Sequence, residues 1–427
     1  MNRRFIVLCL AGAAVLGIVL WLWPKPEPRA SGHLHQEVYV WQRAWNEPVL
    51  AAITGQATNF AQLIALCAEV TWQRGQPSVI RVPLKHDALR QAGRPCGLAL
   101  RIGPFPGPFA ADDDRVNWLI RLAADLLAEA ATNQIAVAEL QIDFDCAESK
   151  LDGYRLWVEA IRRQVAPTPV VITALPAWLK QRAFRGLIAA ADAYVLQVHS
   201  LERPRRVDVP FTLCDPAAAR RAVERAARFG RPFRVALPTY GYVMAFDAAG
   251  RFIGLSAEGP AMNWPPGVQL REVRADPEAL AGLVKAWMTD RPEPLRGVIW
   301  YRLPVRGESL NWPWPTLSMV MAGNIPQASL RAEARRPKPG LVEVDLVNGG
   351  QADYVGGVEV RLRWSHAKRV ACDGLAGFEP VDAGSHGVHF KSSGPAIRLG
   401  PGQTTVTGWA RLDQETEVQV ELLTPSK

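Results

Sequence analysis

The sequence predicts an α/β fold: a (β/α)8 TIM barrel with a C-terminal all-β sandwich domain and an N-terminal membrane anchor or signal segment. Three observations carry this prediction. Eight short apolar runs alternate with helical stretches over most of the 427-residue chain. Helical periodicity ends near residue 326, where short runs separated by glycine-rich turns take over. A long uncharged stretch lies near the amino terminus, directly after a short basic head.

The eight apolar runs have the length and composition of buried strands. They span 37–43, 63–72, 96–103, 137–145, 169–176, 193–199, 233–239 and 297–302. Helical stretches separate them, and within 112–131 the apolar residues recur three and four positions apart. The helix over 216–229 begins at Asp215 and Pro216, an N-cap residue and a proline suited to the first turn. Parallel neighbours need such crossovers, and eight strand–helix units are the number that closes a barrel.

The C-terminal region, 326–427, is predicted to form a separate β-sandwich, which leaves 35–325 for the barrel. Its apolar runs span 341–347, 358–364, 387–391, 404–412 and 417–422. Gly-Gly, Gly-Pro and Asn-Gly-Gly turns separate these runs. Period-2 runs with turn signals at this spacing are typical of a sandwich of about 100 residues.

The N-terminal segment is predicted to tether the protein to a membrane. Arg3 and Arg4 form a basic head, and 5–23 is uncharged and close to the ~20 residues that span a bilayer. The arginines keep this end cytoplasmic and place the body in the periplasm or extracytoplasmic space. We favour an uncleaved inner-membrane anchor at 1–23 over a signal peptide, because the stretch is long and no A-x-A-type site directly follows. A Pro-rich linker at 24–34 joins it to the barrel.

Charge and cysteine content argue against two classes of partner. The net charge of +8 comes from arginines spread along the chain, without the dense basic runs of nucleic-acid-binding proteins, so no nucleic-acid partner is predicted. The five cysteines beyond the apolar stretch lack the C-x-x-C or histidine spacing of a metal site, so no metal or other cofactor is predicted. An oxidising compartment permits a disulfide, but an odd number of cysteines leaves one unpaired and the connectivity open.

The fourth predicted strand gives the strongest indication of chemistry, because barrel active sites lie at the carboxyl ends of strands. Residues two apart share a face, so Asp143 and Asp145 are expected to point into the barrel while Ile142 and Phe144 pack outward. Like charges so close raise one pKa, which places a proton donor beside an ionised neighbour. Glu148 follows on the loop, and these three carboxylates are the candidate catalytic residues. The alternative is structural: Asp143 bonds neighbouring strands, Asp145 caps the next helix and Glu148 is an exposed loop acid.

Other strand ends supply aromatic and polar side chains. Aromatic faces stack on the C–H faces of sugar rings, whereas arginines and carboxylates bond sugar hydroxyls, so the mixture favours a carbohydrate. A single aromatic in a barrel is more often core than platform, and a buried structural role is equally open for His199. Recurrence at five strand ends favours a site, and Trp300 and Arg302 are expected to share one face. The candidate substrate-binding residues are Trp41, Arg43, Trp178, Gln197, His199, Tyr240, Trp300 and Arg302.

The fourth-strand motif resembles the signature of the family 18 glycoside hydrolases, the chitinase-like barrels. Their pattern is D-G-x-D-x-D-x-E, and Asp143 and Asp145 match its second and third aspartates. The resemblance implies that both carboxylates support a general acid two residues further on, and that Trp300 corresponds to the tryptophan that floors the sugar subsite. The chain departs from the family at the acid itself: that position holds Ala147, and Glu148 is displaced by one residue.

In overall layout the chain resembles an uncharacterised family of exported bacterial proteins with a predicted barrel, a domain of unknown function. Four segments carry this resemblance: QIDFD at 141–145, TALPAW at 173–178, QVH at 197–199 and ALPTYGY at 236–242. They belong to a region of about 35–320. The resemblance implies the barrel fold and brings no established activity with it.

The leading functional hypothesis is a glycoside-hydrolase-like protein that acts on an envelope or exported polysaccharide by carboxylate general acid/base chemistry. Asp145, or Glu148 if the loop turns it inward, would be the acid, and Asp143 its electrostatic partner. The alternative, suggested by Ala147, is a non-catalytic carbohydrate-binding barrel tethered to the membrane. A third possibility is a tethered scaffold whose β-domain contacts a partner protein. The expected partners are a carbohydrate and, through the N-terminal segment, a membrane; whether the protein is an enzyme stays open.

Overall fold

The computed structural model describes residues 28–110, 113–257, 263–394 and 396–423. Eight parallel strands form a closed barrel, in which the last strand pairs with the first. Each strand overlaps one of the eight predicted runs, so the predicted barrel is confirmed. The strands are β1 His35–Val40, β2 Gln62–Gln73, β3 Cys96–Ile102, β4 Val137–Phe144, β5 Val170–Ala174, β6 Ala193–Gln197, β7 Phe233–Pro238 and β8 Leu295–Tyr301.

A helix follows each barrel strand, as the strand–helix alternation predicts. The helices are α1 Glu47–Gln56, α2 His86–Ala92, α3 Asp114–Thr132, α4 Leu151–Val165, α5 Arg182–Ala190, α6 Pro216–Ala227, α7 Pro277–Thr289 and α8 Trp314–Met321. The described connections also contain short 3-10 helices at Ala57–Asn59, Glu148–Lys150 and Pro176–Lys180. Asp215 accepts hydrogen bonds from the backbone N–H groups of Ala217 at 2.8 Å and Ala218 at 3.1 Å, which caps α6.

The alternation of side chains along β4 decides which groups enter the barrel. Phe144 faces the helices, where its ring stacks 5.6 Å from that of Trp157 on α4. The neighbouring positions Glu139, Gln141 and Asp143 have the opposite orientation, because successive side chains on a strand alternate between its two faces. The barrel interior therefore receives three polar side chains from β4, and the predicted inward orientation of Asp143 is confirmed.

Further strands extend the barrel outside its closed sheet. Gln76–Arg81 pairs antiparallel with the end of β2, and Arg29–Ala30 pairs with Arg291–Pro292. Between β7 and α7 lies a three-stranded antiparallel sheet formed by Gly241–Phe246, Phe252–Ser256 and Gln269–Arg274. Because it begins just after β7, it lies at the side of the barrel where the strands end.

The C-terminal region consists of strands throughout its described part. They are β9 Leu330–Lys338, β10 Leu341–Asn348, β11 Tyr354–Gly356, β12 Glu359–Trp364, β13 Arg369–Gly374, β14 Phe378–Asp382, β15 Gly387–Ser392, β16 Ile397–Leu399, β17 Thr404–Leu412 and β18 Val418–Leu423. Two four-stranded sheets, β9-β10-β17-β13 and β14-β15-β12-β18, and the pair β11-β16 make up this β-domain. Val344, Leu362 and Phe390 belong to an apolar core of its own. The predicted all-β character is confirmed.

Two polar contacts between described residues join the β-domain to the barrel. Arg398 Nη1 on β16 lies 2.7 Å from Glu272 Oε1 in the three-stranded sheet. The Thr316 hydroxyl on α8 donates a hydrogen bond of 2.6 Å to the carbonyl oxygen of Gln351. The β-domain is thus attached both to the outer helix layer and to the sheet that follows β7.

The predicted anchor at 1–23, and the linker as far as residue 27, lie outside the described residues. Among the described residues, no helix has the length and apolar character needed to cross a membrane. The five cysteines between Cys67 and Cys372 are all free thiols, and all but Cys372 are buried. Burial raises the pKa of Cys67 to about 12, so this thiol is protonated and unreactive at neutral pH.

Candidate functional site

The barrel mouth, which is the face formed by the carboxyl ends of the eight strands, carries Asp143 on its inner wall. The carboxylate is partly exposed and accepts a hydrogen bond of 2.8 Å from the Thr173 hydroxyl on β5. Burial raises the pKa of Asp143 to about 6, against the pull of Arg101 and with a contribution from the charge of Asp145. Asp143 therefore exchanges its proton close to neutral pH.

The rim beside Asp143 is a row of charges that alternate in sign. Arg101 on β3 is the register partner of Asp143 on β4, so the two side chains are neighbours. Arg101 Nε lies 4.0 Å from Oε1 of Glu69 on β2. Arg43, just after β1, places its Nε 2.5 Å from Oε2 of the same glutamate. Four strand ends thus present guanidinium and carboxylate groups side by side.

The other two candidate carboxylates lie further out. Asp145 follows the last residue of β4 and is exposed. Glu148 begins an exposed 3-10 turn, and its carboxylate accepts a hydrogen bond from the Gln181 side chain beyond β5. The position two residues after Asp145, where the family 18 motif has its acid, is the exposed Ala147. Within the described ranges, no group of three or more His, Cys, Asp or Glu side chains is placed to hold a metal ion.

An aromatic cluster lies in the mouth and consists of Tyr39, Trp41, His199, Tyr240, Tyr242 and Tyr301. Tyr301, the last residue of β8, has ring centroids of Trp41 at 5.3 Å, Tyr240 at 5.4 Å and His199 at 5.6 Å. Tyr301 is partly exposed, whereas Trp41 and Tyr240 are buried beside it. The cluster therefore forms a floor with one ring accessible at its centre.

His199 is fixed by a chain of hydroxyl groups. The Tyr240 hydroxyl lies 3.3 Å from His199 Nδ1 and 3.0 Å from the Tyr242 hydroxyl, which in turn lies 2.5 Å from that of Ser200. Burial lowers the pKa of His199 to about 3, so the imidazole is neutral at physiological pH. Gln197 on β6 donates a hydrogen bond of 3.3 Å to the His199 carbonyl oxygen. The imidazole is therefore a hydrogen-bonding group here and not a cation.

Five of the eight predicted substrate-binding residues come together at the mouth, and three do not. The five are Trp41, Arg43, Gln197, His199 and Tyr240. Trp178 lies in the 3-10 helix Pro176–Lys180, is 1% exposed and packs against Tyr154 of α4. Arg302 is buried, and its Nη2 lies 3.1 Å from Glu308 Oε1. Both therefore have structural contacts in place of the predicted position at the ligand.

The expected orientation of Trp300 is wrong. Trp300 is fully buried on the outer side of β8, where its indole N–H donates a hydrogen bond of 2.7 Å to Gln36 Oε1 on β1. Gln36 also bonds the carbonyl oxygen of Met321 in α8, which shows that this side faces the helix layer. The next residue, Tyr301, faces the interior instead. Trp300 and Arg302 accordingly do not line the mouth together.

Sequence reasoning missed five residues of the site. They are Tyr39, Glu69, Arg101, Thr173 and Tyr301. Tyr39 precedes Trp41 by two positions, so the rule that placed Asp143 beside Asp145 on one face would also have found it. Arg101 and Thr173 lie in the third and fifth predicted runs, near their carboxyl ends. Finding their contact with Asp143 requires the register between strands, which no single run contains.

A family model described as "Domain of unknown function (DUF3142)" matches residues 93–306 of the chain. This region contains β3 to β8 together with Asp143, Asp145, His199 and Tyr240. It also contains Tyr301 at the end of β8. No curated protein sequence matches the chain.

Several solved structures are similar to the chain. The spore cortex-lytic enzyme SleL of Bacillus cereus has 12% identity and a TM-score of 0.48, over 69% of this chain and 75% of that one. A chitinase from Chromobacterium violaceum ATCC 12472 has 15% identity and a TM-score of 0.45, over 68% and 99%. Chitinase ChiA74 from Bacillus thuringiensis has 9% identity and a TM-score of 0.45, over 91% and 100%.

Proposed function

Because the chain belongs to the family described as Domain of unknown function (DUF3142), whose description names no activity, we propose a function from the site itself: the barrel mouth binds a carbohydrate. The observation that carries the proposal is the partly exposed Tyr301 at the centre of the aromatic cluster. An aromatic face stacks on the apolar C–H face of a sugar ring. The buried rings around Tyr301 hold it in place, so little side-chain entropy is lost on binding.

The charged rim supplies the polar half of a sugar site. Glu69 and Asp143 accept hydrogen bonds, and Arg101 donates them, as the hydroxyl groups on the edge of a sugar ring require. Charge-assisted hydrogen bonds are stronger than neutral ones, so the rim fixes the orientation of a ring stacked on the floor. Floor and rim together match the mixture of apolar and polar surface that a carbohydrate presents.

Binding without cleavage fits the positions of the carboxylates best. Hydrolysis by a carboxyl pair needs an acid within reach of the glycosidic oxygen. Ala147 stands at the position of that acid, and Glu148 is bonded to Gln181 on the outer rim. A binding site needs neither group.

Hydrolysis is a second candidate, and the raised pKa of Asp143 favours it. With a pKa of about 6, Asp143 exchanges its proton close to neutral pH beside the exposed Asp145. One carboxyl can then donate a proton while the other stabilises positive charge on the sugar. In this candidate Asp143, which holds the proton, is the acid and Asp145 the electrostatic partner, the reverse of the roles expected from the sequence.

Titration calorimetry with linear oligosaccharides of glucose, of N-acetylglucosamine and of mannuronate, here called the oligosaccharide panel, tests the proposal. We expect the wild type to bind one class, Tyr301→Ala to bind it about tenfold more weakly, and Asp145→Asn to keep the affinity. Glu148→Gln is the matched control at the outer rim. Chromatography of the same mixtures should show no shorter products.

Two results would decide against this account. Shorter products released by the wild type and not by Asp145→Asn would establish the hydrolytic candidate in its place. Binding that survives Tyr301→Ala unchanged would remove the mouth from consideration.

The proposed setting is the outer side of a membrane. The arginines at the head and the apolar stretch that follows support a tether with the barrel in the extracytoplasmic space. Envelope and exported polysaccharides are the carbohydrates available there. Protease accessibility of the barrel in intact and permeabilised spheroplasts tests this location.

A further inference from the structure

The barrel interior beneath the aromatic cluster contains a chain of buried polar groups. We propose that this chain, Arg234–Glu139–Gln141–Tyr39, positions the floor on which the sugar stacks. The inference rests on the proposed carbohydrate site, because it assigns positioning residues to that site. None of the four is among the site residues predicted from the sequence, and only Tyr39 belongs to the aromatic cluster.

The chain starts from two buried ion pairs. Arg234 on β7 places Nη1 2.5 Å from Glu37 Oε2 on β1 and Nη2 2.8 Å from Glu139 Oε2 on β4. All three side chains are 10% exposed. Barrel interiors are usually filled by branched apolar side chains, so charged groups at this depth are exceptional. Buried charges persist only where partners hold them, which makes this triad a rigid anchor.

The anchor dictates the orientation of Gln141. Glu139 Oε1 accepts a hydrogen bond of 2.6 Å from Gln141 Nε2, and an ionised carboxylate can only accept. The amide nitrogen of Gln141 must therefore face Glu139, and its oxygen must face the other way. That oxygen accepts a hydrogen bond of 2.7 Å from the Tyr39 hydroxyl. The charge on Glu139 thereby determines that the Tyr39 hydroxyl donates its hydrogen bond to Gln141, toward the barrel interior.

Tyr39 transmits this constraint to the floor. Its ring packs edge-on against Trp41 at 5.2 Å and against Tyr301 at 5.9 Å. A phenol ring held at both its hydroxyl and its edges has one position, and it limits the positions open to both neighbours. The accessible ring of Tyr301 is thus supported from the barrel interior, at a distance from any ligand.

Tyr39→Phe tests the inference, because it removes the hydroxyl and keeps the ring. We expect binding of the oligosaccharide panel to weaken about fivefold, because a floor ring that has lost its anchor must be ordered when the sugar binds, at a cost of about 1 kcal/mol. Tyr194→Phe is the matched control. The Tyr194 hydroxyl donates a buried hydrogen bond of 3.2 Å to the Ala226 carbonyl oxygen outside the barrel. That variant should bind as the wild type does.

Glu139→Gln tests the donor–acceptor order of the hydrogen bonds in this chain. A carboxylate at position 139 can only accept hydrogen bonds, whereas an amide can also donate them. We expect the same loss of affinity, and no further loss when Tyr39→Phe is added, since both changes break one chain. Should this variant fail to fold, Gln141→Met removes the middle link with little change in volume. Affinity of Tyr39→Phe equal to that of the wild type and of Tyr194→Phe would overturn the inference.

Failure of the proposed function is distinguishable from failure of this inference. If the wild type binds none of the panel, the proposed function fails, and crystal structures of the ligand-free variants test the chain alone. The rings at positions 39, 41 and 301 should shift in Tyr39→Phe and keep their places in Tyr194→Phe. Identical ring positions in both variants would contradict the inference.

Discussion

At the scale of single residues, two carboxyl groups have raised pKa values, so each keeps its proton to a higher pH than an exposed carboxyl group does. Asp143 at the mouth has its pKa raised to about 6, chiefly by burial. Glu37 in the barrel interior has its pKa raised to about 7 by burial, with Arg234 opposing and the charge of Glu139 adding to the rise. One of these groups is placed to affect the ligand, and the other the stability of the fold.

Asp143 should make carbohydrate binding depend on pH. An ionised carboxylate accepts hydrogen bonds from sugar hydroxyls more strongly than the protonated group does. Affinity should therefore rise as the pH increases through about 6, and Asp143→Asn should bind weakly with a flat profile. Glu148→Gln should keep the wild-type profile. Titration calorimetry across this range checks it, and an unchanged pH dependence in Asp143→Asn would refute the role of this carboxyl.

Glu37 should make folding stability fall as the pH rises. Its pKa is higher in the folded protein than its ordinary value of 4.5, so the folded state holds the extra proton between 4.5 and about 7. In this window each pH unit lowers the free energy of unfolding by up to about 1.4 kcal/mol for one proton. Glu37→Gln should reduce that slope. Urea unfolding at several pH values measures it, and equal slopes in both proteins would count against the assignment.

At the scale of elements, the connection after β3 is held by aromatic packing against α4. The ring centroids of Phe105 and Phe109 lie 5.2 Å and 4.7 Å from that of Trp157. Phe109 approaches α4 so closely that a Cβ at Gly153 would lie 2.5 Å from its Cγ. A glycine in the first turn of a helix is thus required by the close approach of a neighbouring ring.

Gly153→Ala should destabilise the barrel although alanine is the better helix former. Overpacking of this kind costs about 1–3 kcal/mol, which exceeds the gain of up to about 1 kcal/mol from helix propensity. Gly282 in α7 is the matched control, because a Cβ there meets nothing within 4 Å. Gly282→Ala should stabilise the protein slightly. Chemical unfolding of both variants checks the pair, and stabilisation by Gly153→Ala would show that Phe109 moves freely.

The sequence predicts where the helices and strands lie better than it predicts which side chains face the barrel interior. Strand–helix alternation located all eight barrel strands, because each run is local and strongly apolar. In β8, however, Trp300 and Tyr301 are both large aromatics, and periodicity alone does not show which one faces inward. The acceptor Gln36 on β1 and the space beside Tyr39 decide it. These are contacts between strands, and they depend on a register that the sequence of one strand does not contain.

At the scale of the whole molecule, the described residues contain two separate apolar cores. One fills the barrel and its helix layer, and the other lies within the β-domain. The ion pair between Arg398 and Glu272 that bridges them is exposed by 39% and 41%, and exposed pairs contribute at most about 1 kcal/mol. The two parts therefore depend little on each other for stability.

Two separate cores should give two unfolding transitions. Calorimetry of the protein is expected to show two heat-absorption peaks, and Arg398→Ala should leave both temperatures within a few degrees of the wild type. Residues 326–427 expressed alone should reproduce one of the peaks. A single transition whose calorimetric and van't Hoff enthalpies agree would show instead that the two parts unfold as one unit.

The site as a whole could be foreseen only in part. The inward Asp143 and the grouping of Trp41, Gln197, His199 and Tyr240 follow from strand ends meeting at one face of a barrel. The alternating rim of Arg43, Glu69 and Arg101 could not be predicted in this way, because it depends on contacts between side chains of neighbouring strands. The sequence alone shows that position 147 is an alanine and carries no acid. The structure was needed to show that Glu148, bonded to Gln181 on the outer rim, does not take its place.

The most direct test of the proposed carbohydrate site is a crystal structure of the protein with the best-binding member of the oligosaccharide panel. We predict a sugar ring stacked on Tyr301 with its centroid about 4–5 Å away, and hydroxyls bonded to Asp143 or Arg101. A sugar bound to the β-domain, with the mouth occupied only by water, would contradict it.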